Sequence, residues 1–512
     1  MTKLPDHAIN MISGIKGLDS GDSMNTFLAI DLGAESGRGV LVTLRNAKVS
    51  MEEIHRFPNR PVRLGSTLYW DFPFLFAEII NTLKHCAVQQ IKLDAIGVDT
   101  WGVDFGLVGA DGKLLSCPVH YRDSRTDNIH AYSDPIMSRR EIFEATACEP
   151  WAISSLFQML SMQRDKSPVL PAAKTFLNMP DLINYFLTGI KASEKTIVST
   201  ANLMGADGNW SADVIKRFGL PNIFGKLVEP ATILGPLDGT ILEQTALGAV
   251  PVVATCGHDT SAVAAAVPAQ GDDWAFLSCG TWSILGRLLD EPLTSAAAFD
   301  AGFCNEYTLD AWFICRNILG LWLVQELRRK WDTASDRWDY DRMTAEAAKA
   351  RPVGMFDVED SCLMAPADME EAQLNLLAKL NQPTPDSRGE LVRCVLESLA
   401  LEYAYRLNMI DDLTGRKTKT LYMVGGGIAN KLLCQLTANA VGRCVYAGAD
   451  QCTSLGNALT VAVGTKVLNS PENIRQVMRN SFELAQYQPR DSDLWAEKLG
   501  KYSQLKKNSN RR

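Results

Sequence analysis

Two segments of the chain share one pattern. Residues 27–42 read FLAIDLGAESGRGVLV, and residues 275–288 read AFLSCGTWSILGRL. Each is an apolar run, a turn of small and hydroxyl residues, and a second apolar run. That is the pattern of a tight β-hairpin whose turn presents backbone N–H groups. Such groups, with Ser and Thr hydroxyls beside them, form a cavity suited to phosphate. One hairpin of this kind constrains little. Two of them imply related halves facing one polyphosphate, the alternative being two unrelated hairpins.

The remaining periodicity is that of α/β architecture. Apolar segments at 27–31, 38–45, 49–56 and 95–99 predict strands. Leu75, Phe76, Ile79, Ile80 and Leu83 recur at helical spacing and predict a helix over 73–90, with another near 180–187. The second half repeats the theme with a helix over 390–411, a strand over 419–424, a helix over 429–441 and a strand over 443–446. Segments 287–301 and 333–390, which carry Pro292, Pro352, Pro366, Pro383 and Pro385, read as insertions or loops. A polar break near 255–275 divides the chain into domains 27–267 and 268–465, with a C-terminal segment and tail at 466–512. Residues 1–26 lack the apolar core of a signal peptide and read as a disordered extension, with Met24 a candidate start.

Net charge is −8, and the only basic cluster is Lys506, Lys507, Arg511 and Arg512, read as a solvated end. Nucleic acid is therefore not an expected partner. No apolar run reaches the roughly 18 residues of a membrane span, so a membrane is not one either. The 12 cysteines form no CxxC pair and are expected to be reduced, as in the cytoplasm.

Several residues are placed for chemistry. Asp31 ends the first apolar strand, where it would either hold Mg²⁺ through water or cap a turn. In the loop that follows, Gly33 and Gly37 are expected at positive φ, Ser36 offers a hydroxyl and Arg38 a fixed charge. Asp259 follows an apolar strand and Gly257-His258, and would be either a helix cap or a general base. Asp99, Trp101, Gly102 and Asp104 end a buried strand with a composition suited to a polyol, or form an ordinary edge loop. Gly425-Gly426-Gly427 would let a flat ring lie on bare backbone, or pack strand on helix. It is neither a Walker A loop nor a dinucleotide fingerprint.

Taken in order, DLGAESGR, IGVDTWGVDF, YRDSRT, GHDTSAVAA, LSCGTWSILG, RNILGLWLVQELRR, VGGGIAN and TSLGNA resemble the FGGY family of carbohydrate kinases over residues 27–465. The resemblance implies two actin-like ATPase (ribonuclease H-like) domains with the active site in the cleft between them. It implies ATP-dependent phosphorylation of a ketose 1-hydroxyl with Mg²⁺, L-rhamnulose being the expected ketose and L-fuculose or L-ribulose the alternatives. A non-catalytic actin-like ATPase or a sugar sensor are the readings from other classes. By the same resemblance Ala34, Glu35, Ser36, Gly37, Arg38, Thr281, Gln325 and Gly426 would meet ATP. Gly102, His258, Asp259, Thr260 and Asn317 would meet the ketose, with Asp259 the proton acceptor and Arg122 and Asp123 further sugar contacts. Glu35 departs from the family's loop, which often has Ser there. Pointing outward it leaves the site intact; facing the γ-phosphate it weakens binding.

Overall fold

The computed structural model describes residues 24–509; of the extension expected at 1–26, residues 1–23 lie outside the described residues, as do Arg511 and Arg512, while Met24–Thr26 open the first strand instead of extending from it. The chain forms two compact units. Unit 1 comprises residues up to Ala266 together with Leu289–Phe313 and Cys452–Ser481; unit 2 comprises Val267–Leu288, Ile314–Gln451 and the C-terminal segment from Phe482.

Unit 1 is built on six strands: β1 (Met24–Leu32), β2 (Ser36–Arg45), β3 (Lys48–Pro58), β4 (Ala95–Thr100), β5 (Thr232–Pro236) and β6 (Pro251–Ala254). Their order is β5-β6-β4-β1-β2-β3. Strands β1, β4 and β6 run parallel, and β2, β3 and β5 are antiparallel to their neighbours. The first apolar run is the central strand β1, buried on both faces from Phe27 to Leu32, which is why it reads as continuous rather than alternating. The predicted helix is observed at Phe72–Val88, capped by Asp71 and burying Leu75, Ile79 and Leu83.

Late in the sequence, the helix Cys452–Gly464 packs back into this unit. A Cβ on Gly456 would lie 2.0 Å from the Ala262 carbonyl oxygen, and one on Gly97 would lie 2.2 Å from Asn457 Oδ1. Glycine at these two positions is what lets the helix touch both β4 and the helix Asp259–Ala266.

In unit 2 the order is β9 (Ala311–Leu319), β8 (Trp282–Leu289), β7 (Trp274–Cys279), β10 (Thr420–Val424), β11 (Cys444–Ala447) and β12 (Ala485–Tyr487). The helix Arg388–Thr414 opens with Ser387 accepting from the Glu390 N–H at 3.2 Å. Segment 333–390 is more ordered than its prolines suggested: it holds helices Tyr340–Lys349 and Met369–Lys379, each started by an aspartate cap. Likewise Ala296–Asp300, within 287–301, is a short helix.

Lys506 overturns the reading of a solvated basic tail. It is 3% exposed, on the helix Ser492–Ser509, with Nζ 2.7 Å from Asp357, 3.2 Å from Glu359 and 3.2 Å from Glu402. Arg406 pairs with Glu402 at 2.6 Å and also with Glu359, closing a buried network of alternating charge. All 12 cysteines are free thiols. No helix among the described residues is long and apolar enough to cross a membrane.

Candidate active site

Both predicted hairpins form. In the first, β1 and β2 close on the pair Leu32 and Gly37, and the Gly33 N–H donates to the Ser36 carbonyl at 2.9 Å. Asn59, which sequence reasoning missed, straps this turn from just past the end of β3. Its N–H donates to the Glu35 carbonyl at 2.9 Å and its Nδ2 to the Gly33 carbonyl at 2.9 Å. Glu35 is exposed. The expected positive φ is absent at Gly33 and Gly37. Glycine at 37 is required instead by packing, because a Cβ there would sit 2.3 Å from the Phe57 ring.

The second turn closes on Cys279 and Ser283, with the Gly280 N–H donating to the Trp282 carbonyl at 3.0 Å. Thr281 is exposed, and Trp282 is 43% exposed. Gly320 backs this turn, where a Cβ would lie 2.8 Å from the Gly280 carbonyl oxygen. The helix Trp322–Trp331 starts immediately after and carries half-buried Gln325. In the glycine triplet the two earlier readings divide by residue. A Cβ on Gly427 would meet Cys279 Sγ at 2.4 Å, and Gly425 stands at φ 83° against the Cys279 carbonyl. Gly426, by contrast, faces open space. Asn317 is half-buried on β9, so Asn317, Thr281, Gln325 and Gly426 all belong to unit 2.

The remaining predicted residues belong to unit 1. Asp31 faces Arg38 across β1 and β2. Three donors converge on its Oδ2: Arg38 Nη2 at 2.8 Å, Arg38 Nε at 3.1 Å and Ser454 Oγ at 2.6 Å. On the other side Asp31 is in register with Asp99 of β4. Asp99 is fully buried and accepts from Asn457 Nδ2 at 2.5 Å. Burial, with the Asp31 charge next to it, pushes the Asp99 carboxyl well above the usual range.

The strand-end segment expected to meet sugar turns largely inward. Asp104 is fully buried and accepts from the indoles of Trp70 at 2.6 Å and Trp101 at 2.9 Å and from Gln158 at 2.8 Å. Burial still raises its pKa to about 6. Trp101 is buried with its ring centroid 4.0 Å from that of Trp70, leaving no open face. Asp123 is spent on backbone, accepting from Leu68 N–H at 2.7 Å and Arg125 N–H at 3.0 Å. Between Trp101 and Asp104, Val103 stands at φ 69°, a strained position for a β-branched residue. Its N–H donates to Thr200 Oγ1 at 3.1 Å, and Ser155 Oγ donates to its carbonyl at 2.5 Å. This clamp sets Gly102 beside His258: a Cβ on Gly102 would lie 3.3 Å from His258 Nε2 and 3.2 Å from Thr200 Oγ1.

Gly257 joins the end of β4, its carbonyl accepting from the Thr100 N–H at 2.9 Å. Glu194 holds the turn from below. Its carboxylate accepts from the N–H groups of Gly257 at 3.0 Å and Thr196 at 2.7 Å and from the Thr196 hydroxyl at 2.6 Å. Burial outweighs these donors and lifts Glu194 to about 7. The helix opens with the Ala262 N–H donating to the His258 carbonyl at 3.0 Å, so Asp259 stands in its first turn rather than at the cap. The Asp259 side chain is 36% exposed and accepts from Thr260 Oγ1 at 3.1 Å. Surrounding protein desolvates it and raises its pKa, the His258 ring opposing and Asp31 adding to that rise. A reachable carboxylate of raised basicity suits proton abstraction from an alcohol.

No group of three His, Cys, Asp or Glu among the described residues could cage a metal. A single strand-end carboxylate such as Asp31 is of the kind that would hold Mg²⁺ through water, its Oδ2 being taken by Arg38 and Ser454.

Residues 26–266 match the N-terminal domain model of the FGGY family of carbohydrate kinases, and residues 275–465 match its C-terminal domain model. A rhamnulokinase of Bacteroides thetaiotaomicron is 38% identical over 473 residues, covering 92% of this chain and 97% of its own. One from Enterococcus faecalis is 34% identical, covering 92% and 96%. Solved structures share the fold at low identity. Xylulose kinase from Lactobacillus acidophilus has a TM-score of 0.80 at 14% identity, covering 94% of this chain and 98% of its own. Plasmodium falciparum glycerol kinase with ADP has a TM-score of 0.78 at 15% identity, covering 95% and 98%.

Proposed function

The chain belongs to the FGGY family of carbohydrate kinases and has its two-domain mixed helix-and-sheet fold, and on that premise we propose that it transfers the γ-phosphate of ATP to the 1-hydroxyl of L-rhamnulose. The observation that carries this reading is near-full-length identity to rhamnulokinases, 38% over 92% of the chain in one case. The reaction gives L-rhamnulose 1-phosphate and ADP.

Asp259 takes the proton from O1 as that oxygen bonds to the γ-phosphorus and the bond to the ADP oxygen breaks. Its partial exposure and its place in the first turn of a helix support this role. Gly102, His258 and Thr260 meet the ketose, as does Asn317. Ala34 to Arg38, Thr281, Gln325 and Gly426 meet the nucleotide. Gly426 supports this by facing open space, and Thr281 by its exposure. Exposed Glu35 contributes its backbone, with its carboxylate turned to solvent. Bound Mg²⁺ supplies charge neutralisation on the phosphates, and Asp31 would hold it through water. A cytoplasmic location accompanies this reading, supported by the 12 free thiols.

The test is a coupled ADP-release assay across L-rhamnulose, L-fuculose, L-ribulose, D-xylulose and glycerol. L-Rhamnulose should give the highest kcat/KM. A higher value with any other acceptor overturns the assignment.

A further inference from the structure

We propose that Glu306 is a positioning residue that holds His258 as a charged imidazolium against Asp259, so that the base is kept ionised in a desolvated site. The inference rests on the kinase reading above. Glu306 lies on the strand Cys304–Thr308, is almost wholly buried, and places Oε2 2.8 Å from His258 Nδ1. The opposite ring nitrogen, Nε2, is 3.4 Å from Asp259 Oδ1. A carboxylate therefore stands against each nitrogen of one imidazole.

A neutral imidazole has one N–H and one lone pair. Whichever tautomer it adopted here, one nitrogen would set its lone pair against a carboxylate. With both carboxyls ionised, only the imidazolium turns a positive N–H edge toward each of them. The charge balance agrees. Burial alone pulls His258 down, but Glu306 first and Asp259 after it carry the ring up to about 9. In turn the cation opposes the rise that burial imposes on Asp259.

The other groups around the ring contribute less. Cys304, on the Glu306 strand, raises the ring less than Glu306 and Asp259 do, and its thiol donates to Cys148 Sγ at 3.5 Å. Glu194 spends its carboxylate on Gly257 and Thr196, and the Thr196 hydroxyl oxygen accepts from the backbone N–H of His258 at 3.3 Å. Thr200, beside Nε2, is neutral. Among the described residues, Glu306 is the acid that stands on the far side of the ring from Asp259.

The test uses the full chain labelled with ¹⁵N-histidine, the His258 ring signals being assigned by their loss in His258→Asn. In the unsubstituted protein the ring should be cationic through pH 8 and titrate near 9. Glu306→Gln should lower that midpoint by about one unit or more. It should also move the acid limb of kcat/KM for the ketose upward in pH and cut kcat/KM at neutral pH by about tenfold, with the KM for ATP unchanged. Glu306→Asp should restore the cation and most of the activity. A neutral His258 ring at pH 7.5 in the unsubstituted protein overturns the proposal, and this holds even if Glu306→Gln fails to fold. So does a Glu306→Gln protein whose activity falls while the ring midpoint and the pH profile stay in place. If no ketose releases ADP yet His258 still titrates near 9, the charged array is supported and the kinase reading is what fails.

Discussion

Ser454 donates a 2.6 Å hydrogen bond to the Asp31 carboxylate from a helix that lies 423 residues further along the chain. It converges there with Arg38, so the acid at the end of the central strand is fixed from two elements at once. A hydrogen bond to a charged acceptor is worth about 1.5–3 kcal/mol. Ser454→Ala should lower stability by about that amount in urea unfolding and raise the Mg²⁺ concentration needed for half-maximal ADP release.

Asp259→Asn keeps the shape of the site and removes the proton acceptor. A kcat lower by about 10²–10⁴-fold is expected, with ATP affinity by calorimetry little changed. Full turnover in the folded variant would remove Asp259 from that role.

Gly456→Ala would put a methyl 2.0 Å from a backbone oxygen of Ala262, in the helix that starts at Asp259. Neither partner is a flexible side chain, so the helices must part. Overpacking of this kind costs about 1–3 kcal/mol. Thermal unfolding should shift down, and kcat should fall although residue 456 touches no substrate.

Glu194 makes stability depend on pH in a definite direction. Burial lifts its folded value to about 7 from 4.5, so the folded state holds a proton that the unfolded state releases. Its contribution is most favourable below pH 4.5, declines as pH rises to about 7, and is constant above. At about 1.4 kcal/mol per unit of pKa, the whole decline is about 3–4 kcal/mol, of which about 2–3 kcal/mol falls between pH 5 and pH 8. Urea unfolding at pH 5 and at pH 8 should show it in the unsubstituted protein and not in Glu194→Gln.

Lys506→Ala would leave Asp357, Glu359 and Glu402 with one cation fewer in a buried network. Removing one member of such a group costs about 3–5 kcal/mol. Circular dichroism during guanidinium unfolding should register a loss of that size, whereas Lys507→Ala, on an exposed side chain, should change little.

The hairpins, the central strands and the long helices were legible because their apolar period is local. The helix Phe72–Val88 and the pair β1 and β2 are written within a few residues of themselves. The partners that fix the site were not. Ser454, Asn457, Asn59 and Glu306 are single polar residues in ordinary strands, helices and loops, and each acquires its meaning from a neighbour distant in sequence. Gly37 shows the limit of composition: it reads as a flexible turn residue, yet the Phe57 ring is what excludes a side chain there. Asp104 and Asp123 show the converse, since acids that suit a sugar also suit indole and backbone N–H groups. Lys506 was misread for the same reason, its partners lying more than one hundred residues away.

The return of the helix Cys452–Gly464 to unit 1 also orders events during synthesis. When Ala266 leaves the ribosome, the strand carrying Asp31 and the helix carrying Asp259 have been made, but Ser454, Gly456 and Asn457 have not. At roughly 5–20 residues per second, the remaining stretch takes on the order of 10–40 s to translate. During that interval Asp31 keeps Arg38 but lacks the Ser454 hydroxyl, Asp99 lacks the Asn457 amide, and the faces of β4 and of the Asp259 helix that this helix covers stay open to water. A chain that stops before residue 464 therefore lacks the helix that covers these faces of unit 1.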